Sequence, residues 1–162
     1  MDEVQDSVIQ IREADAADAL ESVRALFQEY WASFGFTPCF QNFDSELAAL
    51  PGKYFPPHGR LLLATVNGRP GCVALRRFDQ TRGEVKRLYV RPQFRGSGLG
   101  KALMNVLAAE ARAIGYAELI ADTIPKVMAT ALTMYERLGF EHVEPYSNET
   151  PEAQHIRLRL GM

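Results

Sequence analysis

Cysteine, histidine and long apolar runs are all scarce in this chain. Two cysteines, Cys39 and Cys72, in 162 residues are too few for a disulfide framework or a metal-ligand set, which fits a reducing compartment. Neither has an activating neighbour in the sequence. The three histidines, His58, His142 and His155, are scattered. No two stand at metal-ligand spacing, and no Ser/His/Asp or Cys/His set accompanies them. No apolar run approaches the roughly 20 residues needed to span a bilayer. One-sided charge is missing too: 18 basic against 20 acidic residues leave −2, which gives no bulk drive toward nucleic acid or an anionic membrane. The N-terminus, Met-Asp-Glu-Val-Gln-Asp, is acidic, the opposite of a secretory or mitochondrial leader. What is present is ordinary: 47% hydrophobic and 23% charged residues argue against disorder, collagen and coiled coil. The expectation is a cytoplasmic protein with one domain over residues 1–162.

Periodicity outlines the elements. Val8–Glu13 alternates like a strand. Asp15 or Asp18 can cap a helix whose apolar stripe is Leu20, Val23, Phe27, Tyr30, Trp31 and Phe34, with Gly35 as its stop. From Phe36 to Gly59 the chain is rich in proline and aromatics, a semi-ordered excursion with a short helix at Ser45–Leu50. Its aromatic side chains either plug the core edge or line a pocket. Arg60–Val66 reads as a buried strand, and Asn67-Gly68 behind it is a strong hairpin signal. Return strands at Gly71–Phe78 and Glu84–Val90 complete an antiparallel meander. Then the pattern turns helical: Leu99, Leu103, Val106, Leu107, Ala111 and Ile114 share a face, ended by Gly115. A strand at Glu118–Asp122, a helix at Val127–Leu138 closed by Gly139, and strands at Glu141–Val143 and Gln154–Leu160 follow. The fold class is α+β: a mixed, largely antiparallel central sheet flanked by helices.

The segment that carries chemistry joins the third meander strand to the next helix. Pro92 ends the strand, and Arg95-Gly96-Ser97-Gly98-Leu99-Gly100-Lys101 opens the helix. Alternate glycines let backbone come close to a ligand. The free N–H groups of the first helical turn and the helix dipole favour an anion, and Arg95 and Lys101 add positive charge. This is a phosphate cradle. It is not a Walker A loop, because Arg95 stands where the first glycine belongs and Ala102 follows the lysine. Nor are glycines spaced evenly by two a dinucleotide fingerprint.

Arg95-Gly96-Ser97-Gly98-Leu99-Gly100 resembles the Arg/Gln-x-x-Gly-x-Gly/Ala acetyl-CoA motif of the GNAT N-acetyltransferase superfamily. Leu88-Tyr89-Val90-Arg91-Pro92 is similar to that family's strand before the loop. Ala131-Leu-Thr-Met-Tyr135-Glu-Arg-Leu-Gly139-Phe140 is similar to its second cofactor helix. The resemblance covers Arg60 to Phe140 and extends more loosely to both ends. It implies a sheet in which Glu84–Val90 and Glu118–Asp122 splay apart. It also implies that the pantetheine of acetyl-CoA pairs along Leu88, Tyr89 and Val90 in that gap, while the pyrophosphate lies on Arg95, Gly96, Ser97, Gly98, Leu99, Gly100 and Lys101. Backbone amides of the strand would steady the thioester carbonyl. Tyr135 stands where the family commonly keeps the acid that protonates the departing thiolate. Glu84 stands where some members keep the base. Asp122 and a water chain are the other candidates for that base, and Glu84 could equally face solvent at a strand end. Met128 departs from the family, which often has Asn there.

The implied activity is direct acetyl transfer from acetyl-CoA to a primary amine in a ternary complex, since no nucleophile for an acyl-enzyme is visible. By the same resemblance the first helix and the Phe36–Gly59 excursion flank the acceptor. Their aromatic and mildly acidic content (Glu29, Asp44, Glu46) suits a small amine or amino-acid-like molecule. Lys86 and Arg87 alternate on the motif strand, so one of the two is expected to face the acceptor, whereas Arg76-Arg77 reads as a solvated strand face. A CoA-binding sensor without turnover is the alternative. A homodimer through the late strands is compatible with the family, and the sequence does not establish it.

Overall fold

The computed structural model describes residues 9–33, 43–66, 68–92, 98–123, 125–146 and 153–161; the side chains of 43, 44, 69 and 125–130 are not described. In chain order the elements are β1 (Ile9–Glu13), α1 (Ala17–Ser33), α2 (Phe43–Ala49), a single 3-10 turn (Gly52–Tyr54), β2 (Arg60–Val66), β3 (Arg69–Arg77), β4 (Arg82–Val90), α3 (Leu99–Ile114), β5 (Glu118–Thr123), α4 (Pro125–Arg137), β6 (Glu141–Val143) and β7 (Gln154–Arg159). Seven strands form one open sheet in the order β1-β2-β3-β4-β5-β7-β6. Every neighbouring pair is antiparallel except β4 with β5. This is the mixed, largely antiparallel α+β sheet expected from the sequence. No described helix is long and apolar enough to cross a membrane.

The sheet has a core on each face. On one, α3 and α4 cover Leu62, Ala64, Val73, Leu75, Val85, Leu119 and Ile156. On the other, α1 and α2 cover Leu61, Leu63, Cys72, Ala74 and Tyr89. β2 is apolar and buried from Leu61 to Ala64 because it lies inside both layers, and a strand covered twice has no solvent side to make polar. α1 buries Ala19, Val23, Leu26, Phe27 and Trp31; α3 buries Leu99, Leu103, Met104, Leu107, Ala108 and Ala111. The stripe read from the sequence was therefore turned slightly, with Val106 and Ile114 only partly buried.

Turn chemistry sets the registers. Val66 stands opposite Arg69, and Gly68 takes φ 76°, a left-handed conformation that glycine adopts without strain. Between β3 and β4, Asp79 Oδ1 accepts from the backbone N–H groups of Thr81 (3.0 Å) and Arg82 (2.8 Å), which closes the turn. β4 therefore starts at Arg82, two residues before the expected Glu84, whereas β3 stops at Arg77, one residue short of the expected Phe78, and gains its extra length at the other end, where it starts at Arg69. Of the excursion after α1, Phe43–Ala49 is helical, Tyr54 is buried against Phe27, and Phe55 is exposed. Phe36, Pro38, Cys39 and Phe40 lie outside the described residues, as do Val8, Phe34 and Gly35.

Candidate active site

β4 and β5 run parallel only at their start. Arg82, Gly83 and Glu84 pair with Glu118, Leu119 and Ile120, and pairing stops there. Among the described residues no strand pairs with that edge of β4 beyond Glu84, although its other edge stays paired with β3 as far as Val90. Leu88, Tyr89 and Val90 lie along that stretch.

α3 begins beside its end. A Cβ placed on Gly100 would sit 3.9 Å from Val90 Cγ2 and 3.3 Å from Met134 Sδ, so the start of α3 touches both β4 and α4. Gly98 takes φ 87° as the residue before the helix. The first intrahelical bond runs from Ala102 N–H to the Gly98 carbonyl, 3.0 Å, which leaves the amides of Leu99, Gly100 and Lys101 with no acceptor inside the helix. Lys101 is exposed. Arg95, Gly96 and Ser97 lie outside the described residues, and the Met128 side chain is likewise not described.

Tyr135 on α4 is buried on the α3–α4 face and packs against Phe140, ring centroids 5.1 Å apart. Burial pushes its pKa well above the ordinary tyrosine value, and the charges of Tyr30 and Asp122 push it the same way. Its hydroxyl therefore holds its proton throughout the neutral and mildly alkaline range.

The opposite face at the same place is polar. Glu84 is 2% exposed, so the reading of it as a solvent-facing strand end fails. Arg76 donates to its Oε1 through Nε at 2.9 Å, with Nη2 at 2.8 Å. The Tyr146 hydroxyl donates to Oε2 at 3.2 Å. Lys86 Nζ lies 3.5 Å from Glu84 Oε2 and 3.6 Å from Asp122 Oδ1, so one buried ammonium joins the two carboxylates considered as bases. Tyr146 keeps its proton: burial, then the nearby Glu84 and Asp122, all raise its pKa.

The alternation expected for Lys86 and Arg87 is broken. Ala74 stands opposite Lys86 but Cys72 opposite Tyr89, so β4 carries an extra residue, and Arg87 takes φ 58°. Such a bulge turns two consecutive side chains to one side. Lys86 and Arg87 both reach the α1–α2 face. Left-handed backbone costs an arginine about 1–2 kcal/mol, and the surroundings hold it. Arg87 forms a two-pronged pair with Glu46 of α2 (3.0 and 2.8 Å). Its guanidinium lies 4.9 Å from the Trp31 ring centroid and 5.9 Å from that of Tyr30. Cys72 Sγ donates to its carbonyl at 3.5 Å. Arg91 grips Glu29 the same way, at 2.8 and 2.9 Å. The mild acidity read for the acceptor side is thus taken up at Glu29 and Glu46 by arginines of β4 and the residue after it; the Asp44 side chain is not described.

Arg76 is the clearest correction. Read as a solvated strand residue, it is half-buried and neutralises Glu84, while Arg77 is exposed as expected. A signal existed: counting outward from the turn at Asp79 puts Arg76 opposite Glu84, as observed. Tyr146, 62 residues from Glu84, and Glu46, 41 from Arg87, had no such signal.

The splay, the bulge and the glycine-led helix occur within a stretch that matches a known domain. The Acetyltransferase (GNAT) domain family matches residues 57–142. An uncharacterised N-acetyltransferase of Schizosaccharomyces pombe is 38% identical over 146 residues, 88% of this chain and 89% of that one. The chain belongs to the GNAT acetyltransferase family. Its fold agrees with GNAT structures: a Staphylococcus aureus GNAT acetyltransferase superposes with a TM-score of 0.79 at 19% identity, covering 94% of this chain and 99% of that one. A Salmonella typhimurium acetyltransferase solved with acetyl-CoA gives 0.72 at 21% identity, covering 94% of each chain. The GNAT match runs from the strands of the meander through Tyr135 and Phe140. Glu29, Glu46, Tyr146 and His155, which shape the polar face, all lie outside it.

Proposed function

We propose that this GNAT chain, working as one acetyl-CoA-binding domain, transfers an acetyl group directly to a small primary amine or amino-acid-like acceptor. The observation that carries the reading is the open edge of β4 beyond Glu84, which ends beside the amide-bearing start of α3. An extended amide chain such as pantetheine pairs with an open strand edge through the groups a neighbouring strand would use, here Leu88, Tyr89 and Val90. A diphosphate suits the unbonded amides and positive dipole end of α3, at Gly98, Leu99, Gly100 and Lys101. Arg95, Gly96 and Ser97 directly precede them in the chain and complete the motif.

Bound there, acetyl-CoA supplies an acyl carbon at which a C–N bond forms as the C–S bond breaks. The remaining work belongs to the protein. Most of an alkylamine is protonated at neutral pH, its pKa being near 10.4, and attack needs the lone pair. Glu84, oriented by Arg76 and Tyr146, takes that proton, with Asp122 as the second carboxylate across Lys86. β4 amides in the gap steady the carbonyl oxygen as it gains charge. Tyr135, kept protonated by burial, returns a proton to the leaving sulfur.

Thermal-shift titrations with acetyl-CoA, CoA, NAD and ATP, run beside an assay of thiol release with small amines, test the proposal. A ligand at 100 times its dissociation constant adds about 2.7 kcal/mol of stability. A shift selective for acetyl-CoA, with amine-dependent thiol release, is expected. A larger response to NAD or ATP would overturn the cradle, and tight CoA binding without turnover would favour the sensor reading.

A further inference from the structure

Five polar side chains close into a ring where β4 and β5 part. Lys86 bridges Glu84 and Asp122. His155 stands opposite Asp122 across the β5–β7 pair, where facing side chains begin about 5 Å apart. Its imidazole packs edge-on against Tyr146, centroids 4.5 Å apart, and Tyr146 donates back to Glu84. Within this ring His155 is 4% exposed, and its Nδ1 has no hydrogen-bond partner among the described residues. Buried polar atoms are rarely left so, because an unmade bond leaves the desolvation of the group uncompensated. The orphan nitrogen marks a place that a ligand completes.

The charges say which ligand. Arg76 and Lys86 already face Glu84, and Lys86 also faces Asp122; Arg87 and Arg91 are held by Glu46 and Glu29. A carboxylate entering here would have to take a cation from an existing pair. What remains unmatched accepts hydrogen bonds rather than donating them. Asp122 meets Lys86 through Oδ1 at 3.6 Å, and with the ring proton assigned to Nε2 the His155 Nδ1 is an acceptor.

We infer that this ring receives the acceptor and that His155 determines specificity, selecting a small amine that carries a second N–H or O–H donor and no carboxylate. The inference rests on the transfer reading above and narrows it to diamines and amino alcohols. Acetyl transfer to one amine then leaves the second donor on His155 Nδ1.

Four amines of one chain length, differing only at the far end, separate the cases: butylamine, aminobutanol, butanediamine and aminobutyrate. Each is assayed with the wild-type chain and with His155→Phe, His155→Asn and Asp122→Asn, while acetyl-CoA binding is followed by calorimetry and folding by thermal midpoint. A site built to bond an N–H or O–H group strongly rejects the analogue lacking it. The wild type should therefore prefer butanediamine or aminobutanol over butylamine by at least about tenfold in kcat/KM, with aminobutyrate poorest. His155→Phe, which keeps a ring against Tyr146, should erase that preference by raising the KM of the favoured amines about 10- to 100-fold, with acetyl-CoA affinity unchanged. His155→Asn, which restores an acceptor, should regain part of it, and Asp122→Asn should weaken butanediamine most. A folded His155→Phe variant with the wild-type preference overturns the inference, as does a wild type that favours aminobutyrate; in both the transfer reading survives. Acetyl-CoA binding without turnover of any amine removes both readings together.

Discussion

The two faces of the sheet were built by different rules. Under α3 and α4 the buried side chains are almost all apolar, from Leu62 through Leu107 to Ile156. Under α1 and α2 the first three strands follow the same rule, but over β4, β5 and β7 the buried set also takes in Glu84, Lys86, Arg87 and His155. An apolar face is stabilised by area and close packing and tolerates a change of shape gradually. A buried charge costs several kcal/mol in desolvation, which only a well-placed partner offsets. The polar face therefore contributes little to stability for its size. It is maintained where strand separation leaves a cleft, and this is where proton transfer has been proposed.

The comparison is tested most strongly at Tyr135, whose hydroxyl is the one group proposed for chemistry on the apolar face. Tyr135→Phe should lower kcat by about two to four powers of ten, with thermal midpoint and acetyl-CoA affinity nearly unchanged. Full activity would remove the assignment and leave the tyrosine as packing. Its pKa is raised, so the proton stays on above the ordinary value near 10. The kcat–pH profile should accordingly show no alkaline fall below about pH 10.

Next comes Arg87→Met, which strands Glu46 without its cation. A loss of about 3–5 kcal/mol is expected from denaturant midpoints. Adding Glu46→Leu should recover much of it, because the desolvated charge is gone as well. Leu107→Ala on the opposite face should cost about 2–5 kcal/mol through a cavity, and no second polar change rescues it. A double variant as unstable as Arg87→Met alone would erase the distinction between the faces.

Gly98→Ala is milder. Among the described residues nothing lies within 4 Å of an added Cβ, but φ is 87°, so strain of about 1–2 kcal/mol is expected, along with weaker acetyl-CoA binding. Smallest is Asp79→Ala in the β3–β4 turn, about 0.5–1 kcal/mol. The Arg82 side chain, then the turn amides, lower the Asp79 pKa. Its contribution is therefore present above the ordinary aspartate range and should fade only as pH drops below about 4. Equal stability of the variant and wild type at neutral pH would show that the turn holds without it.

Much of the frame was legible because it rests on local signals. The β2 span matched its apolar run, since a doubly covered strand has only one composition open to it. Gly115 and Gly139 closed their helices at φ 112° and 104°, as the end of each helical period indicated. The parallel pair and its splay came from family resemblance, not from periodicity. The bulge was illegible: nothing in Lys86-Arg87-Leu88 announces an extra residue, because its left-handed arginine is held by Glu46, Trp31 and Cys72, each at least 15 residues away.

By itself, the sequence determined the order of elements, the glycine-led start of α3 and the glycine stop of α4, all matters of neighbours within about one helical turn or strand step. Only the tertiary structure decided that Glu84 and Asp122 share one lysine, that Arg76 neutralises rather than solvates, and that His155 faces an unfilled bond. These are pairings of charge and hydrogen bond across strands far apart in the chain. Their energies depend on distance and burial, and neither quantity exists until the sheet has formed.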